Sequence, residues 1–157
     1  MPLHRPAAAV ALAAASLVLA GCSALGGAGG APTPTSAPGT ALDDLAVGDC
    51  IASEDQRPTT PTVPVVDCSL EHDNEAYASI TVPGDQFPGP DAITAQAQTA
   101  CSEAFAEFAG IAYDASALDY AYYFPTEGSW AAGDRRILCL IVDPGVRVTG
   151  TLEGAGR

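Results

Sequence analysis

Only one histidine follows the first cysteine of the chain, and it stands among carboxylates: Asp67, Glu71, His72, Asp73 and Glu75. That grouping suits two chemistries. An acid can orient His72 as the general base of a hydrolase, or the carboxylates can join it in a weak site for a hard divalent cation. The acidic loop from Asp67 to Glu75 also suits a small-ligand or cation sensor. Against these stand several absences in the sequence. A zinc site of two histidines cannot be built within the chain, and neither H-E-x-x-H nor G-x-S-x-G occurs. The acids also fit no calcium-loop spacing. His72 therefore reads as a hydrogen-bonding structural residue at a strand entry. We assign no catalytic residue, no metal ligand and no cofactor. The sequence points away from an enzyme without excluding one.

Two further groups are candidate binding residues. Asp119 to Phe124 reads Asp-Tyr-Ala-Tyr-Tyr-Phe, a strand with Tyr120, Tyr122 and Phe124 on one face, suited either to ligand contact or to core packing. The second group, Trp130 and Arg135, brackets a Gly133-Asp134 turn. Arg135 is either a fork for a carboxylate or phosphate, or half of an internal ion pair. Asp49 and Asp134 are at hand, and the internal pair is the favoured reading.

Charge and cysteine count restrict the setting. Beyond Cys22 there are nineteen acids against five arginines and no lysine, a net charge of −14. Binding nucleic acid by counterion release needs clustered Lys and Arg, so no nucleic-acid partner is expected. Met1 to Pro6 is a short leader with one arginine, and Ala7 to Ala20 is an apolar run of fourteen residues. It is too short to span a bilayer and reads as a signal peptide over residues 1–21. It closes on Leu19-Ala20-Gly21-Cys22, which resembles the bacterial lipobox and implies lipidation of Cys22. The membrane is then a partner through acyl chains, and the expected location is the outer face of the cytoplasmic membrane. Lipidation of Cys22 leaves Cys50, Cys68, Cys101 and Cys139, an even set in a compartment where disulfides persist. Residues 22–40, rich in Gly, Ala, Pro and Thr, should form a disordered tether with a reach of roughly 20–25 Å.

These residues must be positioned by what lies between 41 and 157. Val63 to Cys68 is β-rich, with Pro64 confining it to an edge or a bulge. Ala76 to Val82 alternates with period two, placing Tyr77 with Ser79 and Thr81 and ending at Pro83-Gly84. Asp91 to Ala109 is the clearest helix. Asp91 is its expected cap, Gly110 its stop, and Ile93, Ala97, Cys101, Ala104, Phe105 and Phe108 recur at three and four. Ser129 to Val142 reads as a core strand carrying a staple, with a turn signal at Gly133-Asp134 and Cys139 between Ile137 and Ile141. Val146 to Leu152 reads as a last strand before a fraying Gly-rich end. Four cysteines allow three pairings. Cys50 with Cys68 and Cys101 with Cys139 are favoured, the second pinning helix to sheet.

The blocks Gly48-Asp49-Cys50, Val66-Asp67-Cys68, His72-Asp73-Asn74-Glu75, Pro125-Thr126 and Trp130-Ala131-Ala132-Gly133-Asp134-Arg135, with Cys101 and Cys139, together resemble the actinobacterial septum formation family. The resemblance covers Leu42 to about Val142. It implies an exported or membrane-tethered envelope protein linked to septation, with no enzymatic residues to carry across. The chain departs from the family pattern at Glu71, where a proline is common, and at Arg136, where an aromatic is common. The expected fold is an α+β domain: a small antiparallel sheet of four or five strands packed on one long helix, with two disulfides. The expected function is a lipid-anchored binding module whose partner is an envelope protein or a cell-wall component.

Overall fold

The structure, a computed structural model, describes residues 39–53 and 61–157. The signal peptide, the lipidation at Cys22 and nearly all of the tether lie outside the described residues. The strands are β1 (Thr40–Ala41), β2 (Cys50–Ile51), β3 (Thr62–Val63), β4 (Val65–Val66), β5 (Asn74–Thr81), β6 (Asp119–Tyr123) and β7 (Arg136–Val142). The helices are α1 (Pro90–Ala109) and α2 (Glu127–Ala131), with 3₁₀ turns at Leu42–Asp44 and Tyr113–Ala115.

An antiparallel sheet of five strands in the order β4-β2-β5-β7-β6 forms the middle of the domain, and β1 pairs with β3 apart from it. The run Ile-Leu-Cys-Leu-Ile in β7 is continuous rather than alternating because that strand is covered on both faces. Ile137, Cys139 and Ile141 meet α1, while Leu138 and Leu140 pack with Leu45, Ile51, Val63, Ala76 and Ala121 on the other side. The 3₁₀ turn and β3 supply part of that second cover. Arg136, at the start of β7, holds the turn by donating to the carbonyls of Leu42, at 2.5 Å, and Leu45.

Helix α1 buries Ile93, Ala97, Cys101, Phe105 and Ala109, every fourth residue, as its period requires. Its ends differ in part from expectation. The N-cap is Gly89 at φ 95°, a conformation glycine adopts without strain, and Pro90 follows at the first helical position; Asp91 lies inside the first turn. Gly110 ends the helix in the left-handed region, as expected, with its N–H on Ala106 O. Both disulfides form as favoured: Cys50–Cys68 ties the loop after β4 to β2, and Cys101–Cys139 joins α1 to β7.

Three expectations are corrected. Between Ala76 and Ala78 the register on β7 shifts by one residue, a bulge at Tyr77. It turns Tyr77 into the α1 layer instead of leaving it beside Ser79 and Thr81. There its hydroxyl donates to Cys101 O at 2.6 Å and its ring meets Phe105 edge-on. Burial pushes the phenol pKa upward, so it remains a donor. Trp130 sits on the short helix α2 ahead of the strand, which begins only at Arg136. Finally, Val146 to Leu152 forms no strand beyond a single bridge, His72 with Val148. Gly154 N–H and Gly156 N–H donate to Phe108 O and Ala109 O, satisfying carbonyls that the end of α1 leaves open.

Candidate functional site

The Trp130 block is built from the turn upward. Thr126 and Ser129 close a reciprocal capping box that starts α2, and α2 presents Trp130 inward, 4 % exposed, with Nε1–H on Asp85 O at 3.1 Å. Gly133, at φ 103°, reverses the chain so that Arg135 folds back over the indole, its guanidinium carbon 3.8 Å from the ring centre. Arg135 then donates to Trp130 O and Asp134 O, both at 2.7 Å, and to Gly84 O at 3.2 Å. The ion pair expected for Arg135 is not made among the described residues. Asp134 accepts instead from Ser129 Oγ and Arg136 N–H, and Asp49 accepts from Ala46 N–H. Carbonyls and a π face take up much of the guanidinium, Trp130 is buried beneath it, and Arg135 itself stays half-buried.

A lysine at position 135 keeps the charge but not the plane that covers the indole, nor the fork that reaches three carbonyls. Arg135→Lys is expected to cost about 1–2 kcal/mol and lower the Tm by roughly 5–10 °C. A thermal melt followed by Trp130 fluorescence checks this; an unchanged Tm would show that the stacking contributes nothing.

His72 is 0 % exposed. Its Nδ1 lies 2.9 Å from Leu70 O, and its backbone exchanges two hydrogen bonds with Val148. No substrate reaches that ring as it stands. The surrounding acids have separate duties. Asp67 caps the turn at Ser69 N–H, a bond that holds its carboxyl below the usual range. Glu71 and Asp73 both meet Arg147. Glu75, 3 % exposed, accepts from Thr151 Oγ1 at 2.6 Å and Leu152 N–H at 2.7 Å. Among the described residues, one group of three possible metal ligands comes within 4.8 Å: Cys50, Cys68 and Glu75. Its sulfurs are bonded to each other, so it has no thiolate to offer a metal.

The aromatic row on β6 is different. Tyr120, Tyr122 and Phe124 share one face at ring separations of 6.3 and 5.8 Å, and Tyr113 extends the row, 4.7 Å from Tyr120. One edge of the row packs on the α1 core, where Tyr120 OH donates to Gln98 O. The rings of Tyr120, Tyr122 and Phe124 are only partly buried, and Tyr113 is 36 % exposed. Tyr113 OH donates to Asp119 Oδ1 at 2.8 Å; this bond above all raises its pKa, while burial raises that of Tyr120. Both phenols are therefore neutral donors. Strand β6 is the outermost strand on this side of the sheet. Tyr113 was not legible as a member of the row, because the 3₁₀ turn that carries it has no period to read.

The arrangement defines a stapled α+β scaffold in which the signature residues brace loops and a partly exposed row of aromatic rings lines one edge strand. The chain belongs to the septum formation family, whose family model matches residues 43–154. Comparison with curated proteins and with solved structures returns no match.

Proposed function

We propose that this chain is a binding module of the cell envelope acting in septum formation, lipid-anchored through Cys22 on the outer face of the cytoplasmic membrane. Its partner on this reading is another envelope protein or a cell-wall component, engaged through Tyr113, Tyr120, Tyr122 and Phe124. The observation that carries the reading is that these rings are partly exposed on and beside an edge strand, whereas Trp130 and His72 are buried and Arg135 makes internal contacts. Tyrosine offers a large rigid surface with a polar tip and is enriched where proteins meet partners. Anchoring is supported by the lipobox resemblance at Leu19 to Cys22, and no helix among the described residues is long and apolar enough to cross a membrane.

The test places a photoreactive residue at Tyr122 in living cells, with Trp130 as the buried control. A single envelope component captured from Tyr122 and none from Trp130 is the expected result, and the Cys22→Ala chain should leave the membrane fraction. Equal capture from both sites, or none from Tyr122 with the protein folded, would remove the aromatic row from consideration. A His72-centred hydrolase has no geometric support of this kind. The sensor reading of Asp67 to Glu75 fares no better, because those acids are engaged one by one in separate contacts.

A further inference from the structure

The two edges of the five-stranded sheet are not equivalent. Strand β4 is two residues long and follows Pro64, which lacks an N–H, so that edge offers little to a further strand. Strand β6 is five residues long and carries no proline, no lysine and no bulge in its pairing with β7. Its hydrogen bonds show which of its groups turn away from β7. Tyr120 N–H donates to Asp119 Oδ1 and so does not point at β7; by strand alternation Tyr120 C=O and the N–H and C=O of Tyr122 point outward with it. Among the described residues, no group meets Tyr120 C=O or either backbone group of Tyr122.

The two faces beside that edge are shaped differently. On one lies the row of Tyr113, Tyr120, Tyr122 and Phe124. On the other a cleft of about 240 Å³ opens beside Tyr123, with Leu42, Asp43 and Leu138 in its wall. An extended peptide sends alternate side chains to opposite faces, so edge, row and cleft match its backbone and its two sets of side chains. A sugar chain suits the row less well. Neighbouring rings are inclined at 72°, 37° and 49°, which makes grooves and not a flat platform. Charge adds a further condition. Asp119 Oδ2, at the start of the edge, takes no donor among the described residues, and Asp114 is exposed beside Tyr113. A second copy of this chain brings the same net charge of −14 beyond Cys22 and is repelled, whereas a basic segment is attracted.

We propose that β6 takes up an extended segment of another polypeptide as an added strand, with a lysine or arginine of that segment toward Asp119. Tyr120 C=O and both backbone groups of Tyr122 hold the incoming main chain, while its apolar side chains go alternately to the tyrosine row and to the cleft at Tyr123. The proposal rests on the aromatic row being the partner surface and narrows the partner to a protein.

The test titrates the ¹⁵N-labelled full-length chain with a terminally blocked Lys-Thr-Val-Thr-Val-Thr-Lys peptide. Beside it go the same peptide N-methylated at its three central residues, the same peptide with glutamate in place of lysine, and chitotetraose. The lysine peptide should saturate and slow hydrogen exchange at Tyr122 N–H by roughly tenfold, which a main-chain bond does and side-chain stacking does not. The N-methylated and glutamate peptides should bind at least fivefold more weakly. The proposal is overturned by no saturation up to roughly 5 mM, or by equal binding of either control peptide. Protection of Tyr122 N–H that rises with protein concentration alone would give the edge to a second copy and overturn it as well. Chitotetraose shifting the ring signals of Tyr120 and Tyr122, with no peptide bound, would overturn strand addition while leaving the row as a partner surface. Capture from Tyr122 in cells that persists when the peptide fails separates the two readings in the same way.

Discussion

Replacing Cys101 and Cys139 together by alanine is expected to lower stability by about 4 kcal/mol, the larger of the two disulfide effects in this domain. The bond closes a span of 38 residues, against 18 for Cys50–Cys68, for which the chain-entropy relation gives about 3 kcal/mol. Its position adds to the effect of loop length. Both sulfurs lie in the main core, between the helix and the central strand, and both residues are fully buried, so removal also leaves a gap that neighbours fill only in part. A domain of this size has on the order of 5–15 kcal/mol in total, so the variant should melt on the order of 20 °C lower. Urea unfolding of the paired variant beside wild type measures this. A loss below about 1 kcal/mol would mean that the reduced unfolded chain holds helix and strand together without the bond.

The second large effect is expected at Glu75. Its carboxylate is buried and accepts one side-chain and one backbone donor from the segment after Val148, so Glu75→Ala strands the buried Leu152 N–H and leaves the Thr151 hydroxyl to solvent. Charge-assisted bonds of this kind contribute about 1.5–3 kcal/mol each, and a combined loss of about 3 kcal/mol follows. Glu75→Gln should cost far less, because an amide oxygen can keep Leu152 N–H while the Thr151 hydroxyl turns to accept. Hydrogen exchange separates the two variants. In the alanine variant the Gly154 and Gly156 amides, which donate to Phe108 O and Ala109 O, should lose protection well before the β5–β7 ladder. Equal protection in both variants would show that Leu152 and the helix end hold the tail without the carboxylate.

The parts of this fold that were legible in the sequence are those with a long period. Helix α1 repeats its apolar stripe over five turns, which put Cys101 in the core, and β7 is apolar from Ile137 to Val142, which put Cys139 opposite it. Tyr77 was misplaced because alternation assumes an unbroken register, and a single extra residue sends it to the other face. The helix α2 is five residues long, too short for a periodic signal, although Thr126 and Ser129 at the capping spacing were available to mark its start. The candidate site divides in the same way. Tyr120 and Tyr122 follow from strand alternation, whereas Arg135 was assigned a carboxylate partner because sequence shows charges and not carbonyls. The cleft lined by Asn74, Asp119 and Asp143 draws on β5, β6 and the turn after β7, distant in sequence and joined only by strand order. Pairing order of that kind is not written in any local pattern.

The grip of Arg136 on the carbonyls of Leu42 and Leu45 bears on how the domain meets mechanical load. Tension applied to the chain ahead of Gly39 passes through the short β1–β3 pair and the 3₁₀ turn into a guanidinium seated on the first residue of the central strand. That strand is flanked by β5 and β6 and joined by a disulfide to the long helix, so the pull reaches the middle of the sheet rather than an edge.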